Sequence, residues 1–189
     1  MTSTISDNHQ LPDVVAFELD QRRAKAYAES GYWPDAKAVA QALVKIEAGR
    51  ALNIPPLMAM NEVHVIDGKP GLGAGALAAL VKNSGRYDYR IVELTGEKCS
   101  IRFYDNGRAL TPESVFTLQD AKTAGLLDNP KRQAWRQYPR NMLFARAMSN
   151  GVAWFAPDAI GGRFYTGEEM QLDQEEQPVE AEVVDEVPV

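Results

Sequence analysis

Apolar residues recur every three or four positions in several parts of the chain, which is the spacing of one buried face of an α-helix. This pattern predicts a surface helix over residues 12–30, with apolar positions at Val15, Leu19 and Tyr27. It predicts a core helix over residues 34–52, whose buried face consists of Val39, Leu43, Ile46 and Gly49. A third, more apolar helix is predicted over residues 76–83.

Alternating apolar and polar residues separated by turn signals predict two β-hairpins. The first joins residues 63–66 to the segment after Lys69, and the second joins residues 87–94 to residues 98–104. In the last of these strands one face should belong to the core, with Cys99 as a buried thiol beside Ile101 and Phe103. The opposite face suits either solvent or a polyanion, and it carries Lys98, Ser100, Arg102 and Tyr104.

Further elements follow toward the C-terminus. Residues 111–117 predict another strand, residues 118–127 a short helix, and a last helix should begin at Pro139 and end before Pro157. The expected fold is therefore α+β, a small antiparallel sheet with hairpins packed against several helices.

Composition divides the chain into three parts. We expect a disordered leader over residues 1–11, one domain over residues 12–167, and a disordered acidic tail over residues 168–189. The tail holds nine acidic residues and no Lys or Arg, which leaves 20 basic against 17 acidic residues in the rest of the chain, about +3. No apolar run approaches a membrane span and no signal-peptide core is present, so we expect a cytoplasmic protein without a membrane partner.

Few residues offer catalytic or metal chemistry. One cysteine and two scattered histidines form no metal-ligand cluster, and no nucleophile–base arrangement is evident, so no enzyme activity or resident cofactor is expected. Whether magnesium assists is left open. The glycine-rich residues 71–75 could cradle phosphate before the helix at 76–83, but the Lys-Ser/Thr ending of a P-loop is missing. Close packing of loop and helix is the favoured interpretation.

The most basic stretch is residues 130–148, with five Lys or Arg residues and no carboxylate. This composition suits a single-stranded nucleic acid, whose phosphates bind cations and whose bases stack on aromatic rings. Pro139 at a helix start places Arg140 near the positive end of the helix dipole, and Arg146 lies roughly 120° farther around the helix. Trp135 and Tyr138 are either stacking platforms or core residues.

Several parts of the chain carry a family resemblance through their shared order. They are WRQYPRNML at residues 135–143 with RAM at 146–148, the helix-ending ALNIPP at 51–56, and the segments 81–87 and 98–104. Together residues 36–158 resemble the phage single-strand annealing proteins of the RecT and lambda Red beta (Bet) superfamily, which share a tryptophan-x-x-x-proline-basic segment. Asn141 and Ala153 depart from the lambda protein, which has basic residues there.

The resemblance implies an annealing-protein-like core that pairs complementary single strands without ATP during phage-type homologous recombination. It implies a homo-oligomeric ring or filament in the bacterial host cytoplasm, which binds single-stranded DNA and the annealed duplex intermediate. A host single-strand-binding protein or a phage exonuclease could dock on the acidic tail, although a merely solubilising tail is an equal alternative. The candidate DNA-binding residues are Arg132, Trp135, Arg136, Tyr138, Arg140, Arg146, Lys98 and Arg102. The alternatives are a phage structural or scaffolding oligomer and a nucleotide-binding enzyme.

Overall fold

A computed structural model describes residues 13–66, 69–128 and 133–161. The leader 1–11, the tail 168–189 and the first hairpin's turn therefore lie outside the described residues. The helices are α1 (Asp13–Ser30), α2 (Val39–Ala51), α3 (Pro56–Glu62), α4 (Ala74–Asn83), α5 (Leu118–Thr123), α6 (Ala134–Gln137) and α7 (Pro139–Phe155), followed by a 3₁₀ helix, Pro157–Ile160. The strands are β1 (Val63–Ile66), β2 (Lys69–Leu72), β3 (Tyr87–Leu94), β4 (Lys98–Asp105), β5 (Arg108–Ala109) and β6 (Ser114–Thr117).

The strands form two antiparallel sheets. Strands β1 and β2 pair only with each other among the described elements, with Val63 opposite Leu72. In the larger sheet β4 is central, with β3 on one side and both β5 and β6 on the other. The α+β class and both hairpins are thereby confirmed, and the strand expected over residues 111–117 is present as the shorter β6.

Helix α7 packs on the inner face of β4. Cys99, Ile101 and Phe103 are all fully buried on that face, as the alternation predicts. Gly151 of α7 sits directly over the Phe103 ring, so a side chain at this position would overlap the ring. The Ser114 hydroxyl of β6 donates a hydrogen bond of 2.7 Å to the Ala147 carbonyl of α7 and fixes the helix to the sheet. These contacts join sheet and helix in the larger hydrophobic cluster.

Helices α1, α2 and α3 enclose a second, smaller cluster built largely from alanines. Its buried members are Ala24, Ala36, Ala42, Ile46 and Met60. The fully buried positions of α1 are Ala16, Asp20 and Ala24. Of the expected apolar positions, Tyr27 packs partly buried against this cluster, whereas Val15 is 45% exposed. The small alanines let α1 approach α2 closely, and the buried Asp20 carboxylate is held by Arg23 and Arg50.

Several element boundaries differ from the expected ones. Helix α2 begins at Val39 rather than near Pro34, and α5 ends at Thr123 rather than near Leu127. Val39 is 42% exposed, so the buried face of α2 is Ala42, Lys45, Ile46 and Gly49. Lys45 was unforeseen there because a buried ammonium needs a partner from elsewhere in the chain, here Asp35 at 2.6 Å.

The contact between Gly151 and Phe103 generates a stability prediction. We expect Gly151→Ala to lower the free energy of unfolding by about 1–3 kcal/mol, because the added methyl group overpacks a full core. Urea denaturation followed by circular dichroism measures this change. The control is Gly96→Ala, whose added methyl group meets nothing within 4 Å and should change stability by less than about 0.5 kcal/mol. Equal stability of the two variants would contradict the packing described.

Candidate nucleic-acid interface

The start of α7 lies against the turn between β3 and β4. The Arg140 guanidinium donates a hydrogen bond from Nη2 to the Leu94 carbonyl at 3.2 Å. Arg136 of α6 similarly donates from Nη2 to the Leu127 carbonyl at 3.3 Å. Both arginines are exposed, and neither forms an ion pair within the described part of the chain. Each therefore keeps donors and a full positive charge facing solvent.

Two lysines from other elements reach the same end of the molecule. Lys98 of β4 and Lys122 of α5 line an open pocket of about 480 Å³ together with Leu127. Leu127 is also the residue whose carbonyl binds Arg136. We call these four residues the basic end: Lys98, Lys122, Arg136 and Arg140.

Lys122 was missed from the sequence because no local pattern marks it. Its place depends on the pairing of β6 with β4, which sets Thr117 opposite Lys98. A capping box then starts α5: Asp120 N donates to the Thr117 hydroxyl at 3.1 Å, and the Asp120 carboxylate accepts from Thr117 N at 2.8 Å. Only this combination of sheet register and cap carries Lys122 to the basic end.

The start of α7 adds a favourable field for anions. The helix begins at Pro139, as predicted, and its first turn contains no acidic residue. Its positive dipole end is thus uncompensated by its own side chains. Arg140 is the second residue of this turn and adds a formal charge to the same place.

The two aromatic candidates have different environments. Trp135 is 3% exposed and lies in the larger core, with its ring centroid 6.3 Å from that of Phe116. It is a core residue in this fold, as the alternative interpretation anticipated, and it is not placed to stack on a base. Tyr138, two residues before Arg140, is 59% exposed. Its ring is therefore the accessible one of the two aromatic candidates.

Arg146, another candidate DNA-binding residue, has a different environment from Arg140. It is 5% exposed on α7, whereas Arg140 is exposed. Because the two arginines lie on different sides of α7, as predicted, Arg140 faces solvent and Arg146 faces the interior of the protein. In this conformation Arg146 belongs to the interior and not to an accessible surface. Arg132 lies outside the described residues.

The outer face of β4 is only partly available to an anion. Lys98 Nζ contacts Glu93 Oε2 at 2.8 Å, and this hydrogen bond raises the pKa of Lys98. Arg102 is paired with Glu113, which also accepts a hydrogen bond from the nearly buried Ser100. The two predicted cations of this strand are thus partly neutralised by their own neighbours.

The glycine-rich loop is not arranged like a phosphate cradle. Gly73 caps α4, and a Cβ added to Gly73 would lie 3.3 Å from the Glu62 carboxylate. A negative charge at this position opposes phosphate binding at the start of α4. The geometry favours the packing interpretation of residues 71–75.

Comparison with protein-family models, with curated proteins and with solved structures finds no match to this chain. Within residues 13–66, 69–128 and 133–161, no group of three or more His, Cys, Asp or Glu residues is placed to hold a metal ion. None of the helices in these ranges is both long and apolar enough to cross a membrane.

The Ser100–Glu113–Arg102 contacts generate a pH prediction. The Ser100 hydroxyl, followed by Arg102, holds the pKa of Glu113 below its usual range, so the folded protein binds this proton less well than the unfolded chain. The resulting stabilisation is present above about pH 5 and is lost as the pH falls through the lowered pKa. Glu113→Gln should therefore show a smaller fall in Tm between about pH 5 and 3 than the unmodified protein.

Differential scanning calorimetry across this pH range measures the effect. Glu18→Gln on the exposed surface of α1 is the matched control, because Glu18 forms no ion pair within the described part of the chain. The control should retain the unmodified protein's fall in Tm. A Glu113→Gln curve parallel to that of the control would refute the role of these contacts.

Proposed function

We propose that this chain binds single-stranded DNA and anneals complementary strands without ATP, as an oligomer in phage-type homologous recombination. The observation that carries the proposal is the basic end, where four cations from β4, α5, α6 and α7 converge. Of these four cations, Lys98 is paired with Glu93, and Glu97 lines the same pocket, which leaves an excess of positive charge among the described residues of this end. Such an excess binds phosphates whatever the base sequence.

The chemistry of the basic end fits annealing better than sequence recognition. Lysine and arginine side chains that neutralise phosphates leave the base edges unread. A strand held by its backbone keeps those edges free to pair with a second strand. The exposed Tyr138 ring adds a stacking surface that accepts any base.

The ion pairs on β4 support moderate rather than tight binding. Before they bind a phosphate, Lys98 must break or weaken its ion pair with Glu93, and Arg102 its ion pair with Glu113. This competition lowers the gain from each contact and favours release of the duplex product. The four cations of one chain also span few nucleotides, so several subunits along a strand would provide a useful site.

The sequence resemblance to RecT and lambda Red beta proteins supports the same activity, through a segment that includes Arg136 and Arg140. It extends the proposal to a bacterial host cytoplasm, to a ring or filament, and to a host single-strand-binding protein or phage exonuclease as partner. The proposal requires no nucleotide cofactor, and the Glu62 carboxylate beside Gly73 weighs against the nucleotide-binding alternative.

A phage structural oligomer is the second candidate. Large apolar side chains are exposed on several elements, including Val14 at 69%, Leu57 at 53% and Trp154 at 58%. Such groups suit contacts between subunits in either kind of assembly. Binding of an oligonucleotide at low salt separates the candidates, since a purely structural oligomer has no need of it.

The first functional prediction concerns annealing itself. The full chain should accelerate pairing of complementary oligonucleotides at least about 10-fold at low salt, with or without ATP, because bound phosphates repel each other less. Loss of donor fluorescence on pairing with a quencher-labelled strand measures the rate. A non-complementary quencher strand is the control. A rate of pairing with the complementary strand equal to that without protein would contradict the proposal.

The second functional prediction concerns the basic end. Arg136→Gln and Arg140→Gln should each lower the slope of log affinity against log salt by about 0.7, the value for one single-strand phosphate contact. Fluorescence anisotropy of a labelled oligonucleotide at several salt concentrations gives the slope. Arg22→Gln, on the exposed surface of α1, is the control and should leave the slope unchanged. Identical slopes for all three variants would contradict the placement of the strand.

A further inference from the structure

A second open pocket of about 480 Å³ lies between the end of α2, helices α3 and α4, and the 3₁₀ helix, none of which contributes a residue to the basic end. We call it the apolar groove. Its wall is mostly hydrophobic and includes Leu52, Ile54, Met58, Ala76, Leu80 and Ala159. Among the described residues that line it, Glu62 alone carries a charge. A groove of this size and character suits an apolar or aromatic side chain better than water.

The described chain ends beside this groove. Ala159 forms part of the wall, and the 3₁₀ helix that contains it ends at Ile160, whose side chain is 3% exposed in the core. The last described residue, Gly161, adopts φ +63°, a left-handed conformation that turns the chain at the end of the helix. The described part of the chain therefore ends two residues beyond a residue of the groove wall.

The position of the 3₁₀ helix is fixed by a set of polar contacts that we call the clasp. Asp158 accepts a hydrogen bond of 2.6 Å from the Tyr87 hydroxyl and contacts Arg86 at 2.8 Å. Arg86 also binds Asp105 of β4 with two hydrogen bonds. Because this clasp ties the helix to the sheet, the departure point of the following segment is fixed relative to α4.

The segment that follows is chemically complementary to the groove. Residues 162–167 read GRFYTG and contain two aromatic residues, one cation and no carboxylate. Their aromatic rings match the hydrophobic wall, and Arg163 offers a positive charge to Glu62. An extended chain advances about 3.3–3.6 Å per residue, so Phe164 and Tyr165 can reach only the immediate surroundings of Gly161.

We propose that residues 162–167 dock in the apolar groove of their own chain, with Phe164 or Tyr165 against its hydrophobic wall and Arg163 toward Glu62. The short connection from Gly161 gives these side chains a high local concentration at the groove, which a segment from another molecule would lack. The groove is thus a binding site for a segment of this chain.

Disulfide trapping in the full chain tests this docking without nucleic acid. The trapping pair is Ala79→Cys, at an exposed position in the groove wall, with Thr166→Cys in the segment. The native Cys99 does not interfere, because burial leaves it inaccessible and raises its pKa to about 11. Under mild oxidation, non-reducing electrophoresis separates a disulfide within one chain from one between two chains.

The control pair is Arg108→Cys with Thr166→Cys. Arg108 is exposed opposite Asp105, so it lies close to the clasp of the 3₁₀ helix but does not line the groove. We expect the trapping pair to form the disulfide within one chain at least about 10-fold faster than the control pair. Replacing Phe164 and Tyr165 with Ser in the trapping pair should remove this advantage.

Three results would overturn the proposal. Equal rates for the trapping and control pairs would show that the segment does not prefer the groove. A disulfide mainly between chains would assign the groove to a neighbouring copy. An undiminished advantage without the two aromatic residues would show that they do not anchor the segment.

Discussion

The packing of α7 on β4 determines where both candidate binding surfaces lie. Gly151 permits the helix to rest directly on the Phe103 ring, and this contact brings helix and sheet close together. From this contact the helix runs in one direction to Pro139, which brings Arg140 to the Leu94 carbonyl. In the other direction it leads to the 3₁₀ helix that forms one wall of the apolar groove. A change at this contact would consequently alter both ends of the molecule.

Electrostatics distinguishes the two arginines of the basic end from the paired cations of β4, Lys98 and Arg102. Arg136 and Arg140 donate hydrogen bonds to backbone carbonyls, which orient their guanidinium groups without neutralising them. Arg102 is instead satisfied by Glu113. Its neighbour across the strands, Arg90, faces it directly and lies with its guanidinium carbon 5.9 Å from the Tyr104 ring centroid. Backbone-oriented cations suit phosphate binding, whereas paired ones contribute mainly to the sheet and moderate the affinity.

The sequence predicts the parts of this fold that depend on local periodicity. The alternation of Cys99, Ile101 and Phe103 gives the inner face of β4, and Pro139 gives the start of α7, because these signals act over a few residues. The buried face of α1 is different, since Asp20 becomes a core residue only through an arginine on α2.

The candidate site divides in the same way. Arg136 and Arg140 follow from the basic stretch, but Lys122 joins them through sheet register. The burial of Trp135 and Arg146 likewise depends on which face of a helix meets the rest of the protein.

Crosslinking through a photoreactive benzoyl-phenylalanine tests most directly whether the basic end holds the DNA. Placed at Tyr138, it should crosslink a single-stranded oligonucleotide at low salt; placed at Tyr32, which is 75% exposed near α1, it should not. Equal crosslinking at both positions, or none at Tyr138 in a protein that binds the oligonucleotide, would contradict the account.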